Sequence, residues 1–455
     1  MGLDIELVNN LIEKKKQEYL DDLFRLLRQP SISAQNKGIT ECVNLLTDLM
    51  ESSGITTKVL ETQGHPIVYG EVISAKNKFT ILIYGHYDVQ PPEPFEEWIS
   101  PPFEPEIRNG KIYARGAGDN KGQLMAQVLA VKSLLETHGE LPVNVKMVFD
   151  GEEESLSRNF APFVVNNKDL LKADVVYTSD GPMHVDGTPM VMLGCRGMLY
   201  VEIEAEGAIR DNHSGNKGGI SPNPAWTLIH LLDTMRSSDG TVLIDGFYDN
   251  VRTPTDFEID LLRKLPFDSK EAAHVIGLPA LEMDGEEYYR KLSLEPTFNI
   301  SGFSSGYTGG GAKTIIPSKA RVKLDIRLVV DQNPEDIYQS ISNHVKKHAP
   351  GAKVTCIGKV EPSRTPVELK VVQTIVKAIN KAYSREPIIM PAIGATFPDY
   401  VFTKILGLPS ILVPYANADE NNHSPNENMK VECFFNGIKA TCQVLLDLGE
   451  EMNSN

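Results

Sequence analysis

Basic surface is what this chain most lacks. It sets 45 Lys and Arg against 61 Asp and Glu, a formal charge of −16. Nucleic acid and anionic membrane both need a clustered positive face, so neither is expected as a partner. The one short basic run, Lys14-Lys15-Lys16, sits among glutamates, as a solvated helix face does. Cysteine is scarce too. Cys42, Cys195, Cys356, Cys433 and Cys442 are scattered, odd in number and free of Cys-x-x-Cys spacing. That pattern favours reduced thiols over a disulfide framework or a thiolate zinc site. No apolar run reaches the roughly 18 residues of a membrane span. Met1-Gly2-Leu3-Asp4-Ile5-Glu6 carries acids where a signal peptide needs basic residues. A cytoplasmic location is the expectation.

What is present suits a globular protein: 41 % apolar and 23 % charged residues. A length of 455 residues predicts two or three domains. Residues 4–28 keep Leu7, Leu11, Tyr19, Leu20, Leu23 and Leu27 near one helical face, and residues 39–53 repeat the pattern, so two helices should open the chain. Apolar, β-branched runs at Thr80–Tyr84, Val143–Phe149, Val175–Thr178 and Ser410–Pro414 read as buried strands. A helix at about Gln123–Glu136 separates the first two, and the alternation predicts an α/β fold with a mostly parallel sheet flanked by helices. Asn109-Gly110 predicts a hairpin, because it supplies the positive φ angles of a type I′ turn.

From about residue 190 the texture changes. Met198–Ala205 and Arg321–Val329 alternate polar and apolar residues, with the helix Pro224–Arg236 between them. This is the pattern of an antiparallel sheet covered on one face. It predicts an inserted α+β domain over 190–362, dividing the first domain into 1–189 and 363–455. Pro362-Ser363-Arg364-Thr365-Pro366 is the expected return hinge, after which a helix at Leu369–Tyr383 and the strand at Ser410–Pro414 complete the first sheet.

Each apolar strand of the first domain runs into a metal-ligand type. Thr80–Tyr84 leads to His86 and Asp88, Val143–Phe149 to Glu152-Glu153-Glu154, Val175–Thr178 to Asp180, and Ser410–Pro414 to His423. Ligands of open α/β sheets bind beyond the carboxyl ends of the strands, where these four ends would converge. Asp119 joins them from Arg115–Gly122, a glycine-rich turn opening a helix. Histidines and carboxylates without thiolates suit zinc, manganese or cobalt, and a shared carboxylate would hold two such ions about 3.5–4 Å apart. Two dications also make the crowded carboxylates tolerable.

The ordered motifs "GHYDVQP", "RGAGDNKG", "GEEES", "SDG", "DNHSGNKGG", "GGGAKTIIP" and "NNHSPNE" resemble those of the zinc-dependent M20 metallopeptidases, their dipeptidase and carnosinase-like branch in particular. The resemblance runs from about residue 80 to the C-terminus. It implies that His86 and Asp180 hold one ion, Glu154 and His423 the other, and that Asp119 bridges them. Glu153 is then the general base, and the Asp119–Asn120 peptide is cis. Asp88, two positions beyond His86, is placed to accept the imidazole's other N–H and fix its tautomer. The resemblance further implies a homodimer in which the inserted domain is lid and dimer surface. His213 would stabilise the oxyanion of the neighbouring subunit, while Arg327, Thr314 and Gly394 bind the substrate's carboxylate end and backbone. One departure stands out: the branch usually reads Gly-Ser-Ile-Pro where this chain has Gly394-Ala395-Thr396-Phe397, so a hydroxyl contact is lost or moved to Thr396.

The expected function is hydrolysis of short peptides, foremost dipeptides, by a metal-activated water whose proton Glu153 takes. The same centre would serve an N-acyl amino acid deacylase or a carboxypeptidase, and a non-catalytic metal- or peptide-binding module is the alternative from another class. The remaining histidines lack a supporting cluster and read as structural or surface residues.

Overall fold

The run Thr80–His86 forms a strand with parallel neighbours on both sides, Asn144–Asp150 and Val175–Thr178. The computed structural model describes residues 3–452. They divide into two compact units. One comprises the chain up to Gly194, Thr365–Pro391 and the chain from Val401; the other comprises Cys195–Arg364 with Ala392–Tyr400.

The first unit is built on an eight-stranded sheet in the order Thr56–Leu60, Ile67–Val72, Asn144–Asp150, Thr80–His86, Val175–Thr178, Ser410–Leu412, Met190–Met192, Ile388–Met390. The middle four strands pair parallel with one another, as do Met190–Met192 and Ile388–Met390. The Thr56–Leu60 and Ile67–Val72 pair at one edge and the Met190–Met192 junction are antiparallel. This is the mostly parallel α/β sheet that the strand–helix alternation predicts. The central strands are buried almost end to end, as a sheet covered on both faces requires. The helix Lys121–His138 is buried on every side over its first fourteen positions, Lys121 to Leu134, because the helices Ile5–Lys14, Lys16–Arg28 and Val431–Met452 and the strand Thr80–His86 all pack on it.

At the N-terminus the structure differs from the sequence pattern. The first helical stretch breaks at Lys15 into Ile5–Lys14 and Lys16–Arg28. The break turns the first helix so that Val8 and Ile12 enter the core while Leu7 is 54 % exposed. The expected hairpin forms between Glu106–Arg108 and Lys111–Tyr113, with Asn109 at φ 50° and Gly110 at φ 75°. It gains an unforeseen third strand, Asn428–Lys430, from the far end of the chain.

The second unit is a four-stranded antiparallel sheet in the order Thr297–Ser305, Lys319–Leu328, Gly197–Glu206, Lys353–Val360. Burial alternates along Gly197–Glu206 and Lys319–Leu328. Their inward residues, among them Val201, Ile203, Val322 and Leu324, pack against Leu228 and Leu231 of the helix Pro224–Met235 and Ile341 of the helix Pro334–His348. Each such aliphatic side chain contributes about 1.5–3 kcal/mol on burial.

Candidate metal centre

Register places the ligands before any side chain is considered. Parallel pairing sets His86 opposite Asp150, so the turn holding Glu153 and Glu154 leaves the sheet beside His86. Tyr84 pairs with Thr178 and Thr178 with Leu412, which brings Asp180 and the loop to His423 to the same edge. Two ligand groups result: His86, Asp119 and Asp180, and Asp119, Glu154 and His423, the donor atoms of each within 4.8 Å of one another.

Asp119 belongs to both groups through different oxygens. Its Oδ1 lies 3.1 Å from His86 Nε2 and its Oδ2 lies 3.1 Å from His423 Nε2. Asp180 Oδ2 stands 3.6 Å from His86 Nε2, and Glu154 Oε2 stands 3.1 Å from His423 Nε2. The Asp119–Asn120 peptide is cis. Asn120 Nδ2 donates to Ser179 O at 2.7 Å, tying the Asp119 turn to the strand end that carries Asp180.

The charge pattern is that of a cation site. Burial opposes charge on His86, yet Asp119, Asp180 and Asp88 outweigh it and hold the imidazole well above its ordinary value. Hydrogen bonds to Asp119 and Glu154 lift His423 to about 10. Burial raises the Glu153 carboxyl well above the usual range, and Asp180, Asp119 and Glu154 add to it while His86 opposes. Carboxylates crowded around two imidazoles call for positive charge, which divalent ions would bring. His86 Nε2 is buried without a satisfied hydrogen bond, as a ligand nitrogen aimed at a metal is. The residues present fit two divalent cations.

Asp88 has a broader role than the sequence suggests. Its carboxylate Oδ1 faces His86 Nδ1 at 3.4 Å, but the nearer acceptor is its own main-chain carbonyl at 3.1 Å. The carboxylate accepts the backbone N–H groups of Glu153 at 3.2 Å and Glu154 at 3.1 Å. One buried side chain therefore joins the His86 strand end to the Glu153–Glu154 turn.

The remaining predicted residues lie in the second unit. His213 is exposed, and its Nδ1 accepts the Gly215 N–H at 3.1 Å, so it caps the short helix Ser214–Lys217. Thr314 is exposed and its carbonyl accepts the Ser214 N–H at 3.0 Å. Arg327 donates to Asp325 and, at 2.9 Å, to the Thr396 hydroxyl, which donates to Arg196 O at 2.8 Å. Gly394 O accepts Arg196 Nε at 3.2 Å. Thr396, the hydroxyl-bearing residue of Gly394-Ala395-Thr396-Phe397, is engaged with Arg327 and with Arg196 O.

Several residues of the site carried no separate signal in the sequence. Gln90 donates to Glu154 Oε2 at 2.9 Å, and Glu427 forms a fully buried pair with Arg115. Glu420 is 2 % exposed, and burial with Asp119 and Glu427 nearby pushes it up to about 9. Gln90, Arg115 and Glu427 sit inside the recognised motifs, but their partners come from other parts of the chain.

This geometry agrees with the likeness to known proteins. The profile of "Peptidase family M20/M25/M40" matches residues 82–447. An M20 family metallo-carboxypeptidase from Sulfolobus solfataricus has a structure that superposes with a TM-score of 0.86 at 38 % identity, over 95 % of this chain and 99 % of that one. A Cys-Gly metallodipeptidase of Schizosaccharomyces pombe is 26 % identical over 98 % of this chain and 99 % of its own. Human carnosine dipeptidase 1 superposes with a TM-score of 0.77 at 26 % identity, over 98 % and 99 %. The fold and the paired ligand groups are those of a metallopeptidase. The chain belongs to peptidase family M20/M25/M40.

Proposed function

We propose that this protein is a di-metal dipeptidase that hydrolyses the amide bond of short peptides. The observation that carries the reading is Asp119, whose two oxygens face His86 and His423 at 3.1 Å each and so suit a bridge between two cations. His86 and Asp180 would hold one ion and Glu154 and His423 the other. Zinc is the first choice for this donor set, with manganese and cobalt next. Two such ions would lower the pKa of a bound water to ~7 and polarise the scissile carbonyl. Glu153, buried among carboxylates, takes the proton from that water and passes it to the leaving amine. Asp88 orients both His86 and the Glu153 turn.

Arg327, Thr314 and Gly394 recognise the substrate's free carboxylate end and backbone, with Arg327 pre-set by Asp325 and Thr396. His213 stabilises the oxyanion in the partner of a homodimer. In support, the Gly215 N–H occupies its Nδ1, which leaves the neutral ring's proton on Nε2, free to donate. The five cysteines form no disulfide and accord with a cytoplasmic protein. No helix among the described residues is long and apolar enough to cross a membrane.

A second reading has its own support. The 38 % identity with the Sulfolobus metallo-carboxypeptidase exceeds that with the dipeptidases above. Protein reconstituted separately with zinc, manganese and cobalt, and assayed on dipeptides, tripeptides, N-acetyl and N-succinyl amino acids and N-blocked dipeptides, separates the readings. A dipeptidase cleaves free dipeptides and ignores blocked ones. Preferential release of the C-terminal residue from N-blocked or longer peptides establishes a carboxypeptidase instead.

A further inference from the structure

The turn that carries Asp119 is held from behind by a residue with no assigned role. Glu427 is fully buried, and its Oε1 accepts two backbone amides at once, Gly118 N at 3.0 Å and Asp119 N at 3.0 Å. Its Oε2 pairs with Arg115 Nη1 at 2.6 Å, and Arg115 is itself 1 % exposed. The guanidinium also donates to Pro91 O at 3.3 Å and lies over the Trp98 ring. The Ala114 N–H donates to Glu427 O at 3.1 Å, and Asn428–Lys430 pairs with Lys111–Tyr113, so the main chains are stitched together here too. On the other side of the turn, a Cβ on Gly118 would come within 2.3 Å of Glu420 Oε2.

A buried ion pair is a poor stability device, since an apolar pair of similar volume is often as stable. What an apolar pair cannot do is accept two adjacent amides, and those amides set the peptide plane from which the Asp119 side chain projects. We infer that Glu427 is a positioning residue for the bridging carboxylate: it clamps the Gly118 and Asp119 amides on one oxygen, and Arg115 holds it in register. The inference rests on the di-metal reading above. Partners behind metal ligands commonly contribute a factor of about 10–100 in affinity.

The test compares wild type, Arg115→Met/Glu427→Leu and Arg115→Met/Glu427→Gln as metal-free proteins. Each is measured for hydrogen exchange at the Gly118 and Asp119 amides, for competitive calorimetric titration with zinc, and for kcat and KM after loading. In Arg115→Met/Glu427→Leu the amides exchange faster, zinc affinity falls about 10–100-fold, and kcat drops while KM stays. In Arg115→Met/Glu427→Gln, which keeps an acceptor oxygen, protection and affinity return towards wild type. A folded variant with deprotected amides and wild-type zinc affinity overturns the inference, as does one with protected amides and affinity lost tenfold. Should the apolar pair fail to fold, single Glu427→Gln, with its weaker acceptor beside a charged Arg115, is judged by the same two criteria. Wild-type protein that takes up none of zinc, manganese and cobalt refutes the di-metal reading itself, a result read before any variant is compared.

Discussion

Asp88 Oδ1 accepts the Glu153 backbone amide at 3.2 Å, so the proposed general base is anchored by the residue that also faces His86 Nδ1. Asp88 is fully buried, and Asp88→Ala leaves the Glu153 and Glu154 amides without their acceptor. Zinc affinity should fall about 10–100-fold, with Asp88→Asn intermediate because one amide oxygen can still accept. Calorimetric titration of both variants checks this; unchanged affinity in Asp88→Ala contradicts it.

Glu153 has no ligand role in the account, so Glu153→Ala should keep both ions and lose about 10²–10⁴ in kcat. Metal content by mass spectrometry beside steady-state rates on a dipeptide gives the answer. Full activity removes Glu153 from the mechanism, and loss of metal makes it a ligand.

Metal loading should expel protons. His423 is raised to about 10 by its carboxylate partners, so near neutral pH it carries a proton that a cation must displace. Affinity therefore falls as pH falls. Calorimetry in buffers of different ionisation enthalpy should report proton release at pH 7.5. Chelation should also lower the melting temperature, since ligand at 100 times its Kd stabilises by about 2.7 kcal/mol.

A pH effect away from the metals is expected in the second unit. His344 packs on the His348 ring with centroids 4.3 Å apart and shares a hydrogen bond with Thr234 Oγ1 at 2.9 Å. Burial first, then the His348 and Lys347 charges, lowers its pKa, with Asp245 opposing. The group binds a proton more tightly when unfolded, so its contribution to stability is present above the ordinary histidine value of ~6.5 and is lost as pH falls below it. His344→Gln should reduce the drop in melting temperature between pH 8 and pH 5.5. An identical drop in the variant would show that His344 has no part in it.

The sequence carried the architecture where periodicity is strong. Runs such as Thr80–Tyr84 and Val175–Thr178 are apolar because both sheet faces are covered, and their ends name His86, Asp180 and the Glu153 turn. It could not carry what depends on contacts between distant segments. The third hairpin strand Asn428–Lys430 and the Arg115–Glu427 pair join residues about three hundred positions apart, and neither leaves a local trace. The break at Lys15 was hidden for a different reason: Leu7 and Val8 are equally apolar, and only the packing of the first helix decides which is buried.

On the di-metal reading, Asp119 is shared by two cations. Zinc-edge anomalous diffraction from crystals of zinc-loaded protein tests it directly. Two peaks about 3.5–4 Å apart are expected, one beside His86 and Asp180, the other beside Glu154 and His423, with an Asp119 oxygen on each. A single peak, or two peaks with Asp119 bound to only one of them, would contradict it.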